Sequence, residues 1–519
     1  DVDIDHHIEI EMRDGIKLVT DIYKPVGVKE KLPVILIRTP YNRKPFRSPV
    51  ISSDRISSRA HFFAGRGYAV AVQDVRGKFD SEGMFIPQSG DVTDGYDTVE
   101  WLAKQTWSNG KIGGYGCSYP GDVQILMAQS KPPHLTALIP KAAGSAIGSA
   151  GGRYRYFGVR IGGATAFAAG IGWFHQAGSK VHLQYPGNID QKTLLKIDAL
   201  GNTLPGGEFP KGDFTNAWEV LPLTDIPKVL NSLPNDFNDV MFRDVTDPWW
   251  DQFQYLTDKS TFDVPALHIN SWYDFGVNET ILEWQMFQDN GVSKKSRDNQ
   301  FMILSPTEHC ASEIASTQNT IVGERELGDA RFDYWNIYLK WFAYWLKGEK
   351  NAITDMPKVQ YYMMGANEWR SSEVWPPQNT RFEKFYLHSN GQANSRQGDG
   401  VLLQAMPDSE SFDHYTYDPA TPVPSRGGLM CCTGTKESVA GSFDQSDIEM
   451  RNDILVYTTQ ALKETVEVAG PIEVELYVSS SAKDTDFVAK LIDVYPDGRA
   501  FNIQEGILRA RYREGLDKK

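Results

Sequence analysis

Gly116-Cys117-Ser118-Tyr119-Pro120-Gly121 stands between a strand-like run, Lys111 to Tyr115, and a helix-like run, Asp122 to Gln129. Glycines flanking a serine at a strand-to-helix junction are what a nucleophile elbow needs, because the turn is too tight for bulky neighbours. In return the serine hydroxyl stands clear of the backbone at a helix N-terminus, where partial positive charge favours an oxyanion. The usual spacing G-x-S-x-G is broken here: Pro120 holds the place of the last glycine, which falls at Gly121. A proline is acceptable in the first turn of the helix that follows.

On either side of this turn the chain alternates strand and helix. A hairpin opens it, with Ile8, Ile10 and Met12 alternating, a turn at Asp14-Gly15, and Leu18, Thr20 and Ile22 alternating back. Largely apolar runs typical of buried parallel strands follow at Leu32–Ile37, Tyr68–Val72, Lys111–Tyr115 and Leu135–Ile139. Helix-like stretches at Arg55–Arg66, Asp94–Lys104 and Asp122–Gln129 lie between them, the rhythm of a mostly parallel α/β sheet. It lapses from about Ser149 to Phe262, a stretch rich in Gly, Pro and Trp, and resumes with Val264–Asn270, a helix over 278–289 and Phe301–Leu304. Phe332, Trp335, Leu339, Phe342 and Leu346 then mark a long helix whose aromatic stripe reads as core, with Gly348 beyond its end. After Trp375-Pro376-Pro377, alternating segments at Phe382–Leu387, Asp453–Thr458, Ile472–Val478 and Phe487–Val494 predict an antiparallel sandwich. The expected architecture is an α/β-hydrolase fold over residues 1–148 and 263–355. A helical cap is inserted at 149–262, and an all-β jelly roll at 356–519 follows.

Composition narrows the function classes. With 519 residues, 41% of them hydrophobic, the chain can bury several cores, and a net charge of −14 argues against a nucleic-acid backbone as ligand. The charge-free stretch around Ile161–Phe174 is too short and too rich in glycine to cross a bilayer, so no membrane partner is expected. No His/Cys/Asp spacing resembles a zinc or iron site, and neither metal nor cofactor is predicted. The four cysteines suggest no disulfide framework: Cys117 and Cys310 read as small buried hydrophobes, and Cys431 and Cys432 are neighbours, whose direct bond would be strained. A chain that begins at Asp1 without Met points to a processed extracellular or periplasmic product, with a cytoplasmic enzyme as the alternative.

A nucleophilic serine needs a base, and the base an orienting acid. In α/β-hydrolases these follow in the order Ser, Asp or Glu, His, each at the C-terminal end of a strand. The strand Val264–Asn270 runs into Ser271-Trp272-Tyr273-Asp274, and Phe301–Leu304 runs into Ser305-Pro306-Thr307-Glu308-His309. Ser118, Asp274 and His309 thus stand in the required order at three strand ends. The rival His268 lies inside an apolar strand, where a core role is expected. The backbone N–H of Tyr119 would supply one oxyanion donor, and the phenol of Tyr41, after the first sheet strand, is a candidate for the second.

Taken together, Arg38–Asn42, Asp74-Val75-Arg76-Gly77 with Ser81 and Gly83, Gly116–Gly121, Trp272–Asp274 and His309 resemble the CocE/NonD hydrolases, a family of esterases, acylases and X-prolyl dipeptidyl peptidases. Gly427–Thr433, Asp444-Gln445 and Asp484–Arg511 resemble the family's C-terminal jelly roll. The resemblance implies Ser118 as nucleophile, Asp274 and His309 as its partners, and Tyr41 O–H and Tyr119 N–H as oxyanion donors. It gives Asp74 and Arg76 no chemistry, and a structural ion pair between them is expected. Two departures stand out. The α-amino acid ester hydrolases place carboxylates just after the triad Asp, where this chain has Phe275-Gly276-Val277-Asn278, and the family's jelly roll runs on past the position of Lys519.

The expected activity is hydrolysis of a small-molecule ester or amide through an acyl-enzyme. Tyr154, Tyr156, Phe157, Trp173 and Phe174, with Trp272 and Phe275, are candidates for an apolar acyl pocket. Arg153, Arg155 and Arg160 raise the alternative of an acidic acyl group such as glutaryl, held by a guanidinium, as in an acylase of β-lactam side chains. An X-prolyl dipeptidyl peptidase, and a glycan- or peptide-binding protein on an idle hydrolase scaffold, are the competing readings. Cys117 as nucleophile is a minor one, and a homo-oligomer is left open.

Overall fold

The computed structural model describes residues 1–44, 52–180, 190, 192–193, 214–315, 318–409, 411–433 and 438–518. Its centre is a ten-stranded sheet in the order β1-β2-β4-β3-β5-β6-β9-β10-β13-β14. The strands are β1 (Val2–Glu11), β2 (Lys17–Pro25), β3 (Leu32–Thr39), β4 (Ala69–Asp74), β5 (Ser108–Cys117), β6 (Leu135–Lys141), β9 (Ala266–Tyr273), β10 (Gln300–Glu308), β13 (Val359–Met363) and β14 (Glu368–Ser372). Two short hairpins, β7 (Arg160–Ile161) with β8 (Ala164–Thr165) and β11 (Ile321–Val322) with β12 (Arg325–Glu326), lie outside it. From β4 to β13 every neighbouring pair is parallel, while β1–β2, β2–β4 and β13–β14 are antiparallel.

Parallel strands buried on both faces should be apolar throughout, and β3 is buried at all eight positions. Its alternation still sorts the side chains: Val34 and Leu36 enter one core, Ile35 and Ile37 the other. The first core is covered by α2 (Asp91–Ala103) and α3 (Tyr119–Gln129), and it continues into α4 (Phe167–Gln176) through Ile171, Trp173 and Phe174. The second is covered by α1 (Ser52–Ala64) and α6 (Tyr334–Phe342); α5 (Val277–Asp289) follows β9. Of the stripe expected from residue 332, Phe342 and Leu346 are fully buried and Phe332, Trp335 and Leu339 pack half-buried against the same core, which also takes Trp341; Gly348 has the left-handed conformation that ends the helical run.

Two parts of the sequence-based outline change. The central sheet continues past residue 355, because β13 pairs with β10 and β14 closes the edge. Beyond Ser372, two-stranded ladders join β15 (Tyr386–His388) to β16 (Val401–Leu403) and β17 (Asp486–Val494) to β18 (Ala500–Arg509). Phe487–Val494 is therefore a strand, whereas Ile472–Val478 enters no ladder, and Val474 and Tyr477 are exposed. A two-residue alternation makes a strand only where a partner takes up its backbone groups.

Candidate active site

Ser118 is the first residue after β5, Asp274 the first after β9 and His309 the first after β10. These strands are parallel members of one sheet, so all three residues emerge at the same edge. The turn at 118 is as tight as its glycines require. Ser118 has φ 67° and ψ −133°, an uncommon backbone state for a non-glycine residue. A Cβ on Gly116 would lie 2.4 Å from the Pro120 side chain, and one on Gly121 would lie 2.5 Å from the Lys141 carbonyl. The Ser118 N–H donates to Lys141 O at 2.9 Å, and its carbonyl accepts from Asp122 N at 3.0 Å, which starts α3. Pro120 sits in the first turn of that helix.

The His309 Nδ1–H donates to Asp274 Oδ2, and Asp274 Oδ1 accepts from Gly276 N at 2.6 Å. Asp274 is fully buried. Burial works against a charged imidazole, but the Asp274 carboxylate and its hydrogen bond outweigh it and hold the His309 pKa up at about 9. With Nδ1 committed, the neutral ring carries its lone pair on Nε2, which is buried and, among the described residues, hydrogen-bonds no partner, Ser118 Oγ included. A disulfide between Cys117 and Cys310, with Cα atoms 5.9 Å apart, ties the residue before Ser118 to the residue after His309. This corrects the expectation of two unpaired, buried cysteines: both are half-buried, and the pairing spans 193 positions that spacing alone does not connect. His268 lies buried within β9, edge-on to Phe287, and burial keeps it neutral, with a pKa lowered to about 3.

Tyr41 lies on the loop after β3, and its hydroxyl accepts from Trp173 Nε1 at 3.1 Å. Burial raises its pKa, while contacts with Trp173 and Ser118 oppose the rise. Arg43, which sequence reasoning passed over, anchors this loop: its guanidinium reaches Asp21 at 2.9 Å and Asp74 at 2.5 Å, and its backbone N–H donates to Asp74 at 2.8 Å. Asp74 therefore pairs with Arg43 and not with Arg76, which instead bridges Asp94 and Asp14. The Tyr119 side chain is held away from the reacting edge. Its hydroxyl donates to Asp91 at 3.0 Å and accepts from Gln88 N at 2.6 Å, and Asp91 in turn accepts from Arg38 at 2.8 Å.

A cavity opens beside Ser118, lined by Tyr41, Phe157, Val159, Trp173, Phe275 and, from the C-terminal part of the chain, Leu429 to Cys432. Of the predicted pocket aromatics, Phe157, Trp173 and Phe275 are there. Trp272 is not: its Nε1 donates to Tyr362 O at 2.8 Å and its ring packs on Trp375. Tyr156 stacks on Trp250 at 4.0 Å, and neither Tyr154 nor Phe174 lines the cavity. The arginines are also elsewhere. Arg153 is exposed, Arg155 donates to Phe275 O and lies 3.5 Å from Glu279, and Arg160 donates to the carbonyls of Val240 and Arg243. The Arg155 and Arg160 guanidiniums are drawn to carbonyl or carboxylate oxygens of their own neighbourhood and Arg153 is exposed, so none of the three lines the cavity as the alternative of an acidic acyl group requires. Asp122, the carboxylate at the cavity wall, accepts from Gly144 N, Ser145 N and Ser145 Oγ; burial raises its pKa to about 6.

Sequence reasoning missed the Leu429–Cys432 wall, having read Gly427–Thr433 only as part of the jelly roll. It also found no metal-ligand spacing, yet the donor atoms of His309, Cys431 and Cys432 lie within 4.8 Å of one another. Contacts this far apart in sequence leave no periodic signal.

The sequence profile of the X-Pro dipeptidyl-peptidase (S15 family) matches residues 14–311, and that of the X-Pro dipeptidyl-peptidase C-terminal non-catalytic domain matches 351–519. The chain is 33% identical to a cocaine esterase of Rhodococcus sp. (strain MB1 Bresler), over 98% of this chain and 83% of that one. It is 22% identical to a Xaa-Pro dipeptidyl-peptidase of Ligilactobacillus salivarius, over 96% of this chain and 57% of the other. Among solved structures, an α-amino acid ester hydrolase and an aminopeptidase from a marine sediment Thaumarchaeota archaeon each superpose with a TM-score of 0.70 at 24% identity. Each match covers 100% of this chain and 83% of the other.

Proposed function

The chain belongs to the X-Pro dipeptidyl-peptidase (S15) family, within its CocE/NonD hydrolases, and on that premise we propose that it is a serine esterase acting on small carboxylic esters with an apolar acyl group. In this reading Ser118 Oγ attacks the ester carbonyl while His309 Nε2 takes its proton, and the imidazolium then returns that proton to the departing alkoxide. Water repeats the sequence on the acyl-enzyme, releasing the acid and restoring Ser118. Asp274 holds the tautomer and stabilises the imidazolium. Tyr41 O–H and Tyr119 N–H take the oxyanion, each worth about 3–4 kcal/mol.

The observation that carries the reading is the Asp274–His309 pair with a free Nε2, joined through the Cys117–Cys310 bond to the elbow that holds Ser118. The apolar cavity wall supports the acyl preference, and among the described residues no cation lines it, which speaks for plain acyl groups over glutaryl amides. Residues 149–262, of which 181–189, 191 and 194–213 lie outside the described residues, are assigned the role of a cap because Phe157 and Trp173 line the cavity beside Ser118, and the region after Ser372 that of a β domain walling the cavity. The disulfide supports maturation in an oxidising compartment.

A fluorophosphonate probe should label the parent chain and not Ser118→Ala, with loss of turnover of p-nitrophenyl butyrate by about 10⁶-fold. Labelling of the variant would overturn the assignment. Cleavage of Gly-Pro anilide in preference to the ester would favour the peptidase reading.

A further inference from the structure

We propose that His309, Cys431 and Cys432 form a binding site for a soft divalent cation of the zinc class, and that its occupation switches the hydrolase off. The three donor atoms lie within 4.8 Å of one another, and they come from two distant parts of the chain. Adjacent side chains in an extended segment point to opposite faces. Here Cys432 has φ 58°, which turns both sulfurs to one side: the Cys432 Sγ–H donates to Cys431 Sγ at 2.7 Å, longer than a disulfide bond. The segment is held from both sides. Gly428 and Gly441 exchange backbone hydrogen bonds at 2.8 and 3.1 Å, and α4 packs so closely that a Cβ on Gly172 would lie 2.0 Å from Cys432 O.

The third donor is prepared in the way zinc sites prepare theirs. A metal-binding imidazole commonly donates its other N–H to a carboxylate, which fixes the tautomer and turns the free lone pair to the metal. The Asp274–His309 hydrogen bond has that form, and the buried Nε2 hydrogen-bonds nothing among the described residues. Two thiolates and one imidazole suit zinc, and donors on one tetrahedral zinc stand roughly 3.5–3.8 Å apart, a span that small side-chain rotations reach. Binding deprotonates both thiols: the two Sγ–H groups and the dication give a dithiolate complex and two protons, with no change of oxidation state. Cys431 and Cys432 line the cavity together with Ser118. The lone pair that would take the Ser118 proton is then occupied, so cation and catalysis exclude each other; this inhibitory half rests on the esterase reading, whereas binding does not.

The test uses the full chain with Co²⁺ and Zn²⁺ alone. Thiol titration of the denatured protein should find two free thiols per chain, and Co²⁺ should bind once with a near-ultraviolet thiolate-to-cobalt charge-transfer band. Zn²⁺ should lower ester turnover, with recovery on adding a chelator. In the double variant Cys431→Ser/Cys432→Ser, with folding checked by thermal melting, the band should vanish. The zinc concentration that halves the variant's own metal-free rate should rise by about tenfold or more. An absence of free thiols, cobalt binding to the parent without the band, or unaltered zinc sensitivity in the double variant would each overturn the proposal. So would cobalt bound with the band while turnover persists in a protein whose Ser118→Ala variant is dead. If Ser118→Ala retains turnover, the esterase reading is what fails, and the cobalt band of the parent still decides the site.

Discussion

Up to Ser372 the chain builds one sheet whose central strands are buried on both faces. After Ser372 the described residues form two separate two-stranded ladders, and Val466, Val468, Ile472, Val474, Leu476 and Tyr477 are exposed. In the first region, burial on both sides of the sheet sets register and strand order, and the proposed chemistry stands on three strand ends. In the second, short ladders and loops supply shape: Leu429 to Cys432 reach back over the cavity. The contrast puts the proposed reactive groups and most of the cavity lining on the sheet region, and one wall of the cavity on the region less bound by layered packing.

The largest expected effect lies in the first region. Asp274→Asn should lower kcat by about 10⁴-fold in single-turnover kinetics, since the amide favours the wrong tautomer of His309. Loss of less than about tenfold would break the claim that chemistry resides on the strand ends. Tyr41→Phe should cost about 10²–10³-fold in kcat with little change in KM, the signature of a donor used only in the transition state.

Stability should divide along the same line. Trp341→Ala removes a fully buried ring from the core under the sheet and should cost about 3–5 kcal/mol by denaturant unfolding. Tyr477→Ala, where the side chain is 94% exposed, should stay within about 0.5 kcal/mol. Equal costs would erase the distinction between the regions.

Proton binding at His309 should act on stability and activity with opposite signs. Its pKa is raised from the ordinary 6.5 to about 9 by Asp274, so the charged pair stabilises the fold fully below pH 6.5, and that contribution is lost as pH climbs through about 9. Catalysis needs the neutral ring, so kcat/KM should rise with pH over the same window. Parallel melting and kinetic pH series would show it; an acid limb at or below 6.5 would mean that Asp274 does not hold the imidazolium.

What the sequence disclosed follows from how locally each feature is encoded. The elbow at 116–121, the apolar runs of β3 to β6, and Asp274 and His309 just beyond β9 and β10 were legible because each is a short pattern with its own period or turn chemistry. Contacts between distant segments were not. Arg43 with Asp74, Cys117 with Cys310, Trp272 turned to Tyr362, and the thiols at 431–432 beside His309 depend on which strands become neighbours. The arginines at 153, 155 and 160 misled because their pattern carries charge without direction. The strand expected at 472–478 failed for a related reason: alternation describes one strand, and a ladder needs two.

The bond between Cys117 and Cys310 closes a loop of 193 positions that contains the whole of 149–262. A protease cut anywhere inside that loop would leave the pieces bearing Ser118 and His309 in one covalent molecule. Such a nicked enzyme would migrate as a single species until a reductant is added, and only then come apart into two fragments.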